Sequence, residues 1–307
     1  MTVVAPYVLS EGRVEPYVSL DEVKFSPTAS AIDFTNLIED GSQQVQDRAL
    51  YDLILRASSK ADVYCMGQFG SLNATVNTEN GRYRPNRMSQ IIVHPYFTPI
   101  LELRDFQVGW GPGQGLYDIP LTTSNVSIER HQFIITPQGP LGLQFGGLGI
   151  AGGWWNYMQE LFVQYTYVNG YANTFTAASS STGATSLTIN DPTGIYPGMN
   201  LTIWDGMNTE TIQVSTSYVA GGTTILLTHG TKYRHGQNVN ISALPASVKQ
   251  AVIHFVVAMI KQRGQGGLVL QETGEPTAVT GRTETSMQDE ILAYDLLDDF
   301  KTVWGRS

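Results

Sequence analysis

The chain has 307 residues, of which 42% are hydrophobic and 15% are charged, and its formal net charge is -9. This length allows about two domains of ordinary size, or one domain with a large insertion. An acidic chain cannot bind nucleic acid over its whole surface, because that binding needs Lys and Arg on the phosphates. The single cysteine, Cys65, excludes an intrachain disulfide and a multi-cysteine zinc site. No signal peptide or membrane span is expected.

The N-terminal third predicts helices. Ser19 and Glu22 form a capping box, and the helix that it opens should end before Pro27. A second short helix is predicted over 31–39, and a longer one over 42–64. An apolar stripe repeats along the long helix, and it consists of Val45, Ala49, Leu50, Leu53, Ile54 and Ala57.

Strands are predicted between residues 66 and 173, where β-branched and aromatic runs alternate with Gly and Pro clusters. The runs are 91–93, 101–103, 126–128, 133–135 and 161–168. Two glycine-rich stretches, 109–115 and 142–153, read as long surface loops.

A Ser/Thr/Ala/Gly-rich stretch, 174–186, predicts a linker. Short strands separated by turn residues follow it, and their spacing predicts a small antiparallel sandwich or barrel of about five strands over 176–243. Those strands are 187–189, 201–204, 211–214, 224–227 and 239–241.

Helix is predicted again from Pro245, and this helix is apolar on nearly every side. After a polar loop over 264–285, Ser286 should cap a last helix. The apolar face of that helix contains Ala293, Leu296, Leu297, Phe300, Val303 and Trp304, opposite Asp295, Asp298 and Asp299. The fold class is therefore α+β, and the domain prediction is one discontinuous domain, 1–175 with 244–307, interrupted by a β domain over 176–243.

Few motifs suggest chemistry. Residues 147–152 match GxGxxG, but the helix that dinucleotide binding requires does not follow them. His229 and His235 are too few for a metal site and are expected to be exposed loop residues. Glu102 with Asp105 around Arg104 is typical of a charge pair near the end of a strand. We therefore expect no catalytic residue, cofactor or metal.

Charge is unevenly distributed. Arg82, Arg84 and Arg87 form a basic cluster that could touch DNA phosphates or an acidic neighbouring subunit, or could be a solvated loop. The acidic excess belongs to the two ends, since residues 1–65 carry ten acidic and five basic side chains and residues 268–307 carry eight and three.

Three segments carry a resemblance. They are Leu20-Asp-Glu-Val-Lys24 with the helix over 46–57, the strand and Gly-Tyr turn over 162–171, and Leu244-Pro-Ala-Ser-Val-Lys-Gln-Ala-Val252. In this order they resemble the head–tail connector (adaptor) proteins of long-tailed bacteriophages. In that family the Gly-Tyr turn runs almost directly into the Leu-Pro helix, whereas the β unit of 176–243 stands between them here.

The resemblance implies a structural, non-enzymatic protein of the virion neck, made in the host cytoplasm. Such proteins form a ring of identical subunits, commonly a dodecamer, through which double-stranded DNA passes without sequence-specific contact. The implied partners are the portal protein, a stopper or other tail-side neck protein and, through the β domain, the capsid. Portal docking would involve the C-terminal residues Leu296, Leu297, Phe300, Val303 and Trp304.

Two other readings remain open. A β-rich carbohydrate-binding or hydrolytic virion protein could use Trp154, Trp155 and Trp204 as sugar platforms. A different neck component, such as a stopper or tail terminator, would be mainly β, and the helices at both ends of the chain argue against it.

Overall fold

The computed structural model describes residues 15–38, 41–67, 70–86, 90–109, 111, 115–129, 131–136, 160–262 and 280–301, without the side chains of 280–285. Helices and several antiparallel sheets are both present, which confirms the α+β class. The helices in these ranges are α1 (Leu20–Lys24), α2 (Gln43–Met66), α3 (Ala246–Gln262) and α4 (Thr280–Leu297). Short 3-10 turns occur at Pro27–Ala29, Gly206–Asn208 and Asp298–Phe300.

In the described ranges the strands form four sheets. Their bounds are β1 (Thr75–Tyr83), β2 (Ile91–Val93), β3 (Ile100–Gly109), β4 (Tyr117–Asp118), β5 (Val126–Ile128), β6 (Phe133–Ile135), β7 (Leu161–Asn169), β8 (Asn173–Phe175), β9 (Ser186–Thr188), β10 (Asn200–Trp204), β11 (Glu210–Gln213), β12 (Thr224–Leu226) and β13 (Asn240–Ser242). All strand pairs are antiparallel.

The described chain forms two compact units. The first contains Ala74–Gly170, and the second contains the chain up to Asn73 together with the chain from Tyr171 onward. The predicted domain limits, with a separate domain over 176–243, remain a prediction.

The first unit contains a four-stranded sheet in the order β1-β7-β3-β4 and a three-stranded sheet in the order β2-β6-β5. Strand β7 is central to the larger sheet, paired along both edges, and its Val163, Tyr165 and Tyr167 are buried on one face of that sheet. The ring of Tyr165 packs edge-on against Phe133 at 5.1 Å between centroids. All five predicted strands of this region are present.

The capping box of α1 is confirmed. The Glu22 amide donates to Ser19 Oγ at 3.2 Å, and the Ser19 amide donates to Glu22 Oε2 at 2.7 Å. The helix predicted over 31–39 is wrong, because residues 31–38 contain no helix. Asp33 explains the difference, since its carboxylate accepts the Thr35 amide at 2.9 Å and so favours a turn.

Helix α2 matches the predicted span within two residues, and Leu50, Leu53, Ile54 and Ala57 of the predicted stripe are buried, but the start of the stripe differs. Gln46 is buried, whereas Val45 is 40% exposed. The side chain of Gln46 accepts the Ile38 amide at 2.9 Å and donates to the Ile38 carbonyl at 2.7 Å. A buried polar side chain therefore satisfies the loop before α2, and this turns Val45 toward solvent.

The chain from 173 to 242 forms a β module, by which we mean strands β8 to β13. Its sheet order β11-β10-β13-β8 and the pair β12-β9 enclose one apolar core. The predicted strands are all present. The linker predicted over 174–186 is wrong, because β8 pairs with β13 and isolated bridges join Thr176 to Ile189 and Ser180 to His235.

Helix α3 begins directly after Pro245 and is buried on nearly every side, as predicted. Helix α4 packs along it. It begins at Thr280, so the polar loop predicted to reach 285 is wrong over 280–285, and Ser286 lies inside the helix instead of capping it. Residues 264–279 lie outside the described part of the chain.

Candidate functional site

A buried lysine joins two of the sequence segments that carry the resemblance. Lys249, on α3, is 3% exposed, and its Nζ donates to Glu22 Oε1 at 2.7 Å and to Asn240 Oδ1 at 2.7 Å. Burial lowers the pKa of Lys249 to about 8, although the Glu22 carboxylate opposes that change. We call Lys249, Glu22 and Asn240 the lysine junction. It ties α1, α3 and β13 together.

Each partner of the lysine is itself held in place. The capping box fixes Glu22, since its second carboxylate oxygen accepts the Ser19 amide. The amide nitrogen of Asn240 donates to Asn173 Oδ1 at 2.8 Å and to the Thr174 carbonyl at 3.3 Å. The junction is therefore preorganised, because its neighbours limit how its side chains can rotate.

The inner side of α4 is attached by polar as well as apolar contacts. Lys60, on α2, forms an ion pair with Glu290, and its Nζ lies 4.8 Å from the centre of the Phe255 ring. Lys261, on α3, donates to Asp289 Oδ2 at 2.6 Å. These half-buried pairs fix α4 on α2 and α3 and so determine which of its faces meets solvent.

The residues predicted to dock on the portal are not all at the surface. Leu297 is completely buried against its own chain, and Leu296 and Phe300 are half-buried. Val303 and Trp304 lie outside the described residues. The structure thus brings Leu297 into the subunit core, where it is not available to a partner while α4 stays packed.

Helix α4 instead exposes a different apolar face. Met287 is 64% exposed, Ile291 54% and Leu292 42%. Sequence reasoning missed this face because it aligned the helix on Ala293 and Leu297, although the four-residue spacing of Met287 and Ile291 is itself a helical signal. We call Met287, Ile291 and Leu292 the outer face of α4.

The basic cluster begins on a strand and not in a loop. Arg82 lies on β1 and is exposed, and Arg84 follows the strand and pairs with Glu160 at 3.0 Å. Arg87 lies outside the described residues. The two described guanidinium groups therefore remain near the surface, where phosphate or a carboxylate could reach them.

The two histidines, His229 and His235, differ in exposure. His229 is exposed, whereas His235 is completely buried between two carboxylates, so the expectation of exposed loop histidines is wrong for His235. No group of three or more potential metal ligands occurs among the residues that the structure describes. Arg104 pairs with Glu102 at 2.9 Å on the exposed side of β3, with Asp105 next in the strand.

Trp204 is not a free platform for a sugar. Its ring is half-buried, and Lys249 Nζ lies 4.5 Å from the ring centre. Trp154, Trp155 and the glycine motif 147–152 lie outside the described residues.

No protein-family model, curated protein or solved structure matches the chain. Within the described ranges, no helix has the length and apolar character needed to cross a membrane.

Proposed function

We propose that the protein is a head–tail connector, a non-enzymatic subunit of a homo-oligomeric ring that joins the portal to the tail-side neck proteins. The observation that carries the proposal is the Lys249–Glu22 ion pair. It joins the Leu20–Lys24 segment to the Leu244–Val252 segment, although 227 residues separate the two side chains in the chain. Two segments that resemble one family thus meet in one assembly of helices.

The helical surface supports the proposal. Both α2 and α4 carry apolar side chains on their solvent side, including Val63 at 54% exposure and Ile291 at 54%. Exposed apolar side chains on neighbouring helices are expected where one subunit packs against another. A ring needs such heterologous contacts, because each subunit uses one face toward each neighbour.

The acidic ends of the chain also fit a channel for DNA. Asp295, Asp298 and Asp299 are exposed near the end of α4. Carboxylates that face a passing polyanion repel it, so DNA would not adhere to the wall of a ring lined by such groups. Under this proposal the β module projects outward and contacts capsid or another neck protein.

The first test is the assembly state of the purified protein. Native mass spectrometry and negative-stain electron microscopy should show a closed ring with a central hole, of about twelve copies if the usual symmetry applies. A protein that stays monomeric alone and in the presence of purified portal would contradict the proposal.

The portal contact needs a test that leaves α4 in place. Deletion of 272–307 removes α4 and so uncovers α3, whereas a chain that ends at Lys301 keeps both helices. We expect the chain that ends at Lys301 to form the ring and to lose binding to portal-containing heads. Unchanged attachment would exclude 302–307 as the docking segment.

A further inference from the structure

The lysine junction contains the three groups that an amide cross-link requires. The Lys249 amine lies within hydrogen-bond distance of both a carboxylate and a carboxamide, 2.7 Å from Glu22 Oε1 and 2.7 Å from Asn240 Oδ1. Lys249 and Asn240 are 3% and 0% exposed, so water is largely excluded. We propose that Lys249 and Asn240 form an intramolecular isopeptide bond, with Glu22 as the proton carrier. This inference does not depend on the connector proposal.

The reaction is balanced without any co-reactant. The neutral Lys249 Nζ attacks the Asn240 side-chain carbon, which lies one carbonyl bond of about 1.2 Å beyond the oxygen that Nζ already contacts. Glu22 takes a proton from the attacking amine and returns it to the departing amide nitrogen. The bond from that carbon to Nδ2 breaks, the bond to Nζ remains, and one molecule of ammonia leaves.

The surroundings make this step accessible to Lys249. Nucleophilic attack needs the neutral amine, and burial lowers the pKa of Lys249 to about 8, so the neutral amine is more populated at neutral pH than in a solvated lysine. The Asn173 side chain and the Thr174 carbonyl hold the Asn240 amide, and the Trp204 ring covers Nζ. Fixed orientation is the main requirement of an intramolecular reaction.

Other lysines of the helices provide a comparison. Lys60 also pairs with a carboxylate, that of Glu290, but in the described part of the chain its second neighbours are the aromatic rings of Phe255 and Tyr294 and not a carboxamide. The Gln262 carboxamide donates to the other oxygen of Glu290 at 3.2 Å, but no described hydrogen bond joins it to Lys60 Nζ, so Lys60 has a base without a bonded carboxamide and is the matched control for Lys249.

The test is a tryptic map of the purified full-length protein with its intact mass. Cleavage after Arg234, Lys249 and Lys261 places Asn240 and Lys249 in the peptide 235–249. A cross-linked Lys249 is not cleaved, so we expect one peptide, 235–261, that is lighter than its sequence mass by one ammonia. Full cleavage after Lys249, with the complete sequence mass after prolonged incubation at about pH 8, would overturn the proposal.

Variants and a second source of ammonia loss complete the design. Lys249→Arg and Asn240→Leu should abolish the mass loss, Glu22→Gln should slow it at least tenfold, and Lys60→Arg should leave it unchanged. Asn80 and Asn169 each precede glycine and can lose ammonia by forming a succinimide. Ammonia lost from these two residues would appear in other peptides and would not block cleavage after Lys249. If the mass loss is found only there and Lys249 is fully cleaved, the cross-link is excluded. The result on the wild-type chain is decisive even where a variant fails to fold.

Discussion

Nε2 of His235 lies 2.7 Å from Oε1 of Glu210. The imidazole of His235 lies between the carboxylates of Glu210 and Asp205 and is completely buried. Glu210, at the start of β11, also accepts the amides of Lys232 and Tyr233 at 2.9–3.2 Å. Burial alone would raise the pKa of Glu210, but these donors outweigh it and lower the pKa. One carboxylate thus fixes the turn over 231–235 to the sheet.

The first prediction concerns acid stability of the β module. Because the pKa of Glu210 is lower in the folded state, its contribution is complete above the unfolded value of about 4.3 and is lost as the pH falls through the folded value. Glu210→Gln should cost about 1–3 kcal/mol at neutral pH and should flatten the loss of stability below about pH 4.5. Hydrogen exchange of β10 and β11 amides, measured at a series of pH values, gives both quantities. If the variant loses stability below about pH 4.5 as steeply as wild type, Glu210 is not the group responsible.

The second prediction concerns Asp62, whose contribution to stability changes with pH in the opposite direction to that of Glu210. Asp62 on α2 accepts the Leu72 amide at 2.7 Å and the Tyr17 hydroxyl, yet burial raises its pKa to about 6 against those hydrogen bonds. A raised carboxyl pKa favours the protonated form in the folded state, so stability from this group increases as the pH falls from about 6 toward 4.

The free energy of unfolding of Asp62→Asn, relative to that of wild type, should therefore be highest at about pH 8. This difference should fall by up to about 3 kcal/mol by about pH 4. Urea unfolding at a series of pH values measures the difference. A difference that does not change with pH would show that Asp62 is not protonated near pH 6.

The third prediction concerns the attachment of α4. Lys60→Met keeps an unbranched apolar side chain but removes both the ion pair with Glu290 and the contact of the charged Nζ with the Phe255 ring, and it should weaken the protection of α4 amides by about 1–2 kcal/mol. The control is Arg56→Met, whose pair with Asp52 is more than half exposed at both ends and should contribute less than about 0.5 kcal/mol. Equal effects of the two changes in hydrogen exchange would contradict the role of Lys60.

The fourth prediction tests the outer face of α4. Under the connector proposal, Ile291→Asp should weaken the affinity between subunits of the ring by at least about tenfold. The subunit itself should stay folded, because Ile291 is 54% exposed. Met207→Asp, at a fully exposed site on the β module, should leave assembly unchanged. Native mass spectrometry with circular dichroism separates assembly from folding, and full assembly of the Ile291 variant would exclude this face as an interface.

Local signals explain what the sequence predicted correctly. The Ser19–Glu22 capping box needs only neighbouring residues, and the strands of the β module are bounded by turn residues such as those of 191–194. Such short-range patterns need no knowledge of the tertiary structure.

The missed elements depend on buried polar groups. Strand β1 was not predicted, because its Asn77 and Glu79 read as surface residues, yet Glu79 is 4% exposed and accepts the Tyr165 hydroxyl at 2.8 Å. In the same way, nothing local distinguishes Lys249 from a solvated lysine. Its partner Glu22 comes from the other end of the sequence, and only the fold brings the two together.

The chain enters the β module after Ala172, which follows β7, and leaves it at Ala243, just before α3; the Ala243 amide donates to the Ala172 carbonyl at 2.8 Å. Entry and exit of the β module are thus adjacent, so its length can change without moving either end. Insertions in the loops of the module would therefore leave Asn173 and Asn240, and with them the contact to Lys249, in place. The exposed loops of the module can in this sense vary in length and sequence while β8 and β13 keep the module attached to α3.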